Sequence, residues 1–242
     1  MIIGKDSAFR RLPQGLDQRQ ATFLEGIRYS VEMADLAYSR LRSVLWSLST
    51  EDGLEHTQQD VSPFVVPFLD AWSIVDSVHR LRQLLEHMPG LKRAKCSSYQ
   101  LFVRKTSPVL QFRNAIQHLR KELDAMSCQS WPVWGVLDWV AVIHSEQGLL
   151  CCCVMTAGKT TSGKYPVCNP LGMQMESPVD HVTLQYKEDR LSLSDTMRSV
   201  ASVVRPLQES LARQFHGMSS TGSDLIVRVA MQVQLDESDR NC

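Results

Sequence analysis

The chain has no excess of charge of either sign, because 26 Lys and Arg residues balance 26 Asp and Glu residues. A balanced chain creates no long-range field that attracts nucleic acid or an anionic membrane, so an anionic ligand would have to meet a local patch. The sequence also lacks an apolar run of about eighteen residues and any signal-peptide-like run near Met1. We therefore expect a cytoplasmic protein with no membrane partner.

The cysteines lack the spacing of a metal site. There are seven, including the run Cys151 to Cys153, but they form no CxxC pair and no short Cys/His ligand set. Reduced thiols in a core are the expected state. The G-x-S-x-G signature of a hydrolase nucleophile is absent as well. Neither a metal nor a cofactor is predicted.

One loop has the beginning of a nucleotide-binding signature but lacks its end. Residues 158–164, GKTTSGK, satisfy G-x4-G-K. The next residue is Tyr165 and not the Ser or Thr that holds magnesium, and Pro166 and Pro170 prevent the helix whose amino terminus binds phosphate. We therefore reject nucleotide binding here.

What the chain does have is helical periodicity in its first half. Apolar residues recur three and four apart from about Asp17 to Leu48, which predicts a long amphipathic helix with a solvated charged side that includes Arg28. A polar loop, 49–61, follows. Ser62 and Pro63 then start a second helix that runs to about Met88 and contains Pro67.

Strand-like patterns replace helical ones beyond residue 128. Two hairpins are predicted, one from Trp134–Ile143 and Leu149–Met155, the other around Glu188 and Asp189. A helix capped by Ser194 or Asp195 follows, and strict alternation in 225–235 predicts a last half-buried strand. The fold class is thus α+β: an all-α antiparallel helical bundle in residues 1–128, then a small antiparallel sheet with one helix in 129–242.

The stretch from Gln111 to Leu123, QFRNAIQHLRKEL, combines an apolar stripe with a polar cluster. Phe112, Ile116, Leu119, Leu123 and Met126 form one helical face, which we expect to pack in the core. Asn114 and His118 are four residues apart and should stack on each other opposite that stripe, with Arg113 at its flank. Ser107 and Pro108 mark the start of this helix.

The Arg113, Asn114 and His118 pattern on the last helix of an all-helical half resembles the signature of the HEPN domain, R-x4-6-H with a polar residue after the Arg. The resemblance covers residues 17–126. It implies a dimeric helical bundle in which two copies of the motif form a composite, metal-independent site that cleaves RNA. Only Arg113, Asn114 and His118 carry over as site residues. Asp76 is the candidate for an additional acidic residue on an earlier helix.

The side chains of Arg113, Asn114 and His118 suit the chemistry of RNA cleavage. RNA brings its own nucleophile, the ribose 2′-hydroxyl, so a site needs only to move protons and to stabilise charge on phosphorus. The imidazole of His118 serves as acid or base, and the Arg113 guanidinium matches phosphate oxygens. The motif supplies only one histidine per chain as an acid–base group, and a homodimer supplies two. The expected partners are RNA, a second copy and a protein regulator.

Two alternatives remain open at this stage. The bundle could be a non-catalytic module that binds RNA or protein. In the plainest reading His118 is a solvated surface residue, and Arg113 pairs with Asp124 or another acid. His79, isolated on the second helix, is expected to be an exposed or capped side chain rather than a functional one.

Overall fold

The molecule is described from a computed structural model that covers residues 1–50, 62–91, 96–121, 123, 131–144, 149–156, 169, 172, 174–220 and 224–229. Its helices are α1 Gln18–Ser49, α2 Ser62–His87, α3 Ser97–Lys105, α4 Pro108–Gln117 and α5 Leu193–Gln214. Its strands are β1 Val136–His144, β2 Leu149–Thr156, β3 Val179–Tyr186 and β4 Asp189–Ser192. The α+β class is confirmed.

The two long helices are antiparallel. Near one end the Arg40 guanidinium binds the buried carboxylate of Asp70, with Nε 2.8 Å from Oδ2, and near the other end Gly26 lies against Leu84. Asp17 caps α1 by accepting the backbone N–H of Gln20. Both helices begin within one residue of the predicted positions. The predicted loop after α1 lies mostly outside the described residues.

The charged side of α1 is not wholly solvated, which corrects one prediction. The Arg28 side chain is only 1% exposed, because Asp224, which is distant in sequence, covers it and accepts two hydrogen bonds at 2.6 and 3.2 Å. Helical periodicity cannot reveal such a partner. Arg28 therefore belongs to the interior.

The last helix packs on the first half of the chain. The Tyr38 hydroxyl on α1 donates to Ser194 at 2.9 Å, and α5 contacts α3 as well as β3. The cap of α5 is Ser192, whose hydroxyl accepts the N–H of Asp195. The predicted cap, Ser194 or Asp195, was wrong, because Ser194 is already inside the helix and its hydroxyl instead accepts the N–H of Val182.

The sheet is antiparallel with strand order β2-β1-β3-β4. The strand positions confirm both predicted hairpins, although the turn at 145–148 lies outside the described residues. A cross-strand row on its inner face belongs to the hydrophobic core: Met155, Leu137, Leu184 and Leu191. The opposite face of β1 carries Asp138, paired with Arg190.

A glycine starts the sheet. Gly135 has φ +88°, and a Cβ at this position would lie 2.4 Å from the backbone oxygen of Gln185. Only glycine fits this close approach of β1 to β3.

The predicted strand at 225–235 was wrong over its described part. Residues 224–229 have no regular structure, and the apolar side chains among them are 72–88% exposed. Alternation identifies a segment able to pair in a sheet, but pairing also needs a neighbouring strand. Residues 230–235 and the loop 158–164 lie outside the described residues.

One hydrophobic core runs through both halves of the chain. Its members include Leu41 and Val78 on the long helices, Leu184 in the sheet and Val204 on α5. The division at residue 128 remains a prediction, but the two predicted parts share this core.

Candidate active site

The corner between α3 and α4 sets where the motif helix begins. Arg82 of α2 donates from Nη1 to the carbonyl oxygen of Val103 at 2.6 Å and to the Thr106 hydroxyl at 2.5 Å. It thus satisfies groups at the carboxyl end of α3. Ser107 then precedes Pro108 at the first turn of α4, as predicted.

The apolar side of α4 faces the sheet. Phe112 is buried, and its ring centroid lies 6.1 Å from that of Trp72 and 6.4 Å from that of Tyr186. The Trp72 indole donates to the carbonyl oxygen of Trp134 at 3.1 Å. The helix is therefore held from α2 and from the sheet at once. Leu119 packs on this core and Leu123 is exposed, while Met126 lies outside the described residues.

The motif does not lie on one continuous helix, which corrects the prediction for 111–123. Regular helix ends at Gln117, and His118 is the C-cap with φ −105° and ψ 22°. Helical geometry resumes at residues 119–121. The stretch 109–126 contains no glycine or proline, so its sequence does not mark this break.

Arg113 is fixed by an acid on α2. Its Nε donates to Oδ1 of Asp76 at 3.1 Å, and Oδ2 of the same carboxylate binds Arg80 at 2.7 Å. Asp76, the acidic candidate from the sequence, is thus joined to the motif. Asp124, the other predicted acid, lies outside the described residues. Among the described side chains Arg113 Nη1 is buried without a hydrogen-bond partner.

His79 lies beside this pair, which its isolation in sequence did not predict. Burial lowers the pKa of its imidazole, and the positive charge of Arg113 lowers it further against the opposing effect of Asp76. Its Nδ1 is buried and unpaired within the described part of the chain. The sequence did contain a signal for this arrangement. His79 follows Asp76 by three residues, so both lie on the side of α2 away from the apolar stripe.

Asn114 and His118 are exposed. The backbone N–H of His118 still donates to the carbonyl oxygen of Asn114 at 3.0 Å, but no hydrogen bond joins their side chains, or either to Arg113, in the described structure. The structure therefore places the three residues on neighbouring turns without assembling them into a bonded cluster.

A cleft of about 410 Å³ adjoins Arg113. Its polar lining comes from Asp76, Arg113 and their neighbours, and its apolar lining includes Trp72, Leu69 and Met33. Exposed apolar side chains continue this lining over the outer side of α1 and α2: Tyr29, Met33, Leu36, Val65 and Leu69. The cleft thus has an apolar wall with the Asp76–Arg113 ion pair beside it.

These features define an α+β protein with an Arg-containing cleft beside its motif helix. Comparisons of the chain with protein-family models, with curated proteins and with solved structures gave no match. Within the described ranges, no helix has both the length and the apolar character needed to cross a membrane. No group of three His, Cys, Asp or Glu side chains there is arranged to hold a metal ion.

Proposed function

We propose that the protein is a metal-independent endoribonuclease of the HEPN type. The observation that carries this proposal is that the motif helix has one buried and one exposed face. Phe112 packs towards the sheet, while Asn114 and His118 are exposed to solvent, where a polymer could contact them. Had the sheet covered these polar side chains, no RNA could reach them. Asp76 also holds Arg113 at the edge of the cleft.

The reaction needs no group beyond those of RNA and protein. The 2′-oxygen loses its proton to a base, attacks the adjacent phosphorus and displaces the 5′-oxygen, which takes a proton from an acid. The products are a 2′,3′-cyclic phosphate and a 5′-hydroxyl. His118 moves the protons, Arg113 stabilises the charge on the phosphoryl oxygens and Asn114 orients the phosphate.

Two subunits complete the acid–base pair, since each chain offers one motif histidine. The exposed apolar side chains of α1 and α2 next to the cleft support such an assembly, because contiguous apolar surface often marks a protein interface. In this arrangement one subunit's His118 acts as base and that of its partner acts as acid.

The second candidate is a non-catalytic module that binds RNA or a protein. The ion pair between Arg113 and Asp76 favours it, because a guanidinium with one donor already engaged has fewer left for phosphate.

RNA cleavage in EDTA separates the two. We expect His118→Ala and Arg113→Ala to lower the cleavage rate by at least about 100-fold, as for loss of a proton-transfer group. The matched controls are His216→Ala, an exposed histidine elsewhere, and Arg80→Ala, which removes the other guanidinium on Asp76. Both should cleave at nearly the wild-type rate. Equal cleavage by all five proteins, or none by the wild type, contradicts the enzyme and favours the binding module.

A further inference from the structure

In the described structure, Asp224 provides the hydrogen bonds that hold the segment 224–229 to the body. Asp224 accepts hydrogen bonds from the buried Arg28 guanidinium and, at 2.7 Å, from the Tyr29 hydroxyl. Arg28 lowers the pKa of this carboxyl to about 2, so Asp224 stays ionised and bound across the physiological range. Residues 225–229, LIVRV, follow this anchor, and we refer to them as the arm.

The arm has the composition of a strand but is not paired with any strand among the described residues. Leu225, Ile226, Val227 and Val229 are 72–88% exposed, and the alternation of apolar and polar residues continues in the sequence to Leu235. Apolar, β-branched residues of this kind are costly to leave in water and favour pairing in a sheet. The arm therefore needs a strand edge.

In the described sheet the two edge strands differ in how they are protected. The edge strand β4 is four residues long and carries Asp189 and Arg190, which is how proteins usually protect an edge. The other edge strand, β2, is eight residues long and reads LLCCCVMT, without a charge or a proline. In the described sheet β2 pairs on one side only, with β1. Such a strand is a template for another strand.

The arm does not reach the middle of β2 in its own chain. Cys153 of β2 lies beside Ser49, with Sγ 3.7 Å from Oγ, whereas Asp224 is held at Arg28, about 32 Å away along α1 at 1.5 Å per residue. Five extended residues span at most about 17 Å. While Asp224 stays anchored, residues 225–229 can pair with the central positions of β2 in another molecule but not in their own chain.

From this geometry we infer that the arm adds as a fifth strand to the β2 edge of a second copy of the chain. Exchange is reciprocal, so two arms and two β2 edges close a two-fold dimer in which every arm and every β2 edge is paired. Main-chain hydrogen bonds provide the affinity, and the apolar arm side chains extend the faces of the partner's sheet. This contact differs from the dimer interface proposed for RNA cleavage, which uses the exposed apolar side chains of α1 and α2.

The test measures mass by light scattering at about 100 µM, and amide exchange of residues 149–156. We expect a dimer with protected β2 amides. The arm variant Val227→Asp/Val229→Asp and the edge variant Cys152→Lys should each raise the dimer dissociation constant at least tenfold, because each places a charge in the new pairing. Met218→Asp and Asp189→Lys, exposed positions outside the arm and on the opposite edge, should leave it unchanged.

Mixing the two variants gives the decisive comparison. The arm variant keeps an intact β2 edge and the edge variant keeps an intact arm, so a mixed dimer regains one of the two exchanged contacts and should form more tightly than the dimer of either variant alone. A monomeric wild type, protected β2 amides in a monomer, or β2 amides that stay protected in both variants would overturn the inference. A monomeric wild type would also remove the dimer that the RNA-cleavage proposal needs, whereas loss of β2 protection alone leaves that proposal standing.

Discussion

At the scale of single residues, two of the buried carboxylates have pKa values shifted in opposite directions. Asp138 and Asp180 are both only 1% exposed. Burial raises the pKa of Asp138 to about 6, and Arg190 only partly offsets this. Burial acts on Asp180 too, but the N–H groups of Glu176 and His181 together with Arg198 outweigh it and lower the pKa. The backbone N–H donors to Asp180 therefore help to explain why the two pKa values shift in opposite directions.

Asp138→Asn should therefore alter the pH dependence of stability. A raised pKa means that the contribution of Asp138 is fully present below its unfolded pKa and is lost as the pH rises through about 6. The unfolding free energy of Asp138→Asn relative to wild type should rise by about 2 kcal/mol from about pH 4.5 to about pH 7. Urea unfolding across this range measures it.

A flat curve for Asp138→Asn would show that the pKa of Asp138 is not raised in the folded protein.

Buried charges are also where the sequence was least informative. Arg28 meets Asp224 across 196 residues, and Asp138 meets Arg190 across 52. From the sequence, a charged residue is predicted to be solvent-exposed unless its partner is close in sequence. These pairs could therefore not be predicted. Asp76 became a candidate only through the family resemblance, which implies an additional acidic residue on an earlier helix.

At the scale of elements, Arg82 determines the corner that orients the motif helix. Arg82→Ala should lower the unfolding free energy by about 2 kcal/mol, because the carbonyl of Val103 and the hydroxyl of Thr106 lose a charged donor. Chemical denaturation measures the loss. Arg80→Ala, at a side chain 60% exposed on the same helix, should cost less than about 1 kcal/mol. Equal losses would mean that the corner does not depend on Arg82.

The elements themselves were mostly predictable. Long stripes identified α1 and α2, and apolar runs around turn residues identified both hairpins, because periodicity records which face is buried. The break at His118 was not predictable, since no glycine or proline marks it. The strand prediction was wrong in the arm. Alternating apolar and polar residues show that a segment can pair in a sheet, but not that a neighbouring strand is present.

At the scale of the whole molecule, an aromatic cluster ties the helices to the sheet. Trp72, Phe112 and Tyr186 come from α2, α4 and β3, with ring centroids 5.8–6.4 Å apart. Sequence analysis predicted two parts divided at 128, since composition changes there. It could not predict that α5 returns to pack on α1 and α3.

Tyr186→Ala should consequently destabilise the whole chain. We expect a loss of about 3 kcal/mol, as for other buried aromatic truncations, and helix circular dichroism and tryptophan fluorescence should still report one common transition. Leu36→Ala, at an exposed position of α1, should change little. If the two signals separate in wild type or variant, the halves fold independently and the division at 128 is real.

The position of Trp72 has a practical consequence. Its indole lines the cleft, touches the motif helix through Phe112 and is bonded to the carbonyl of Trp134. A molecule entering beside Arg113 would change the surroundings of this fluorophore before any chemistry occurs. The protein thus carries its own optical reporter of occupancy, which needs no label.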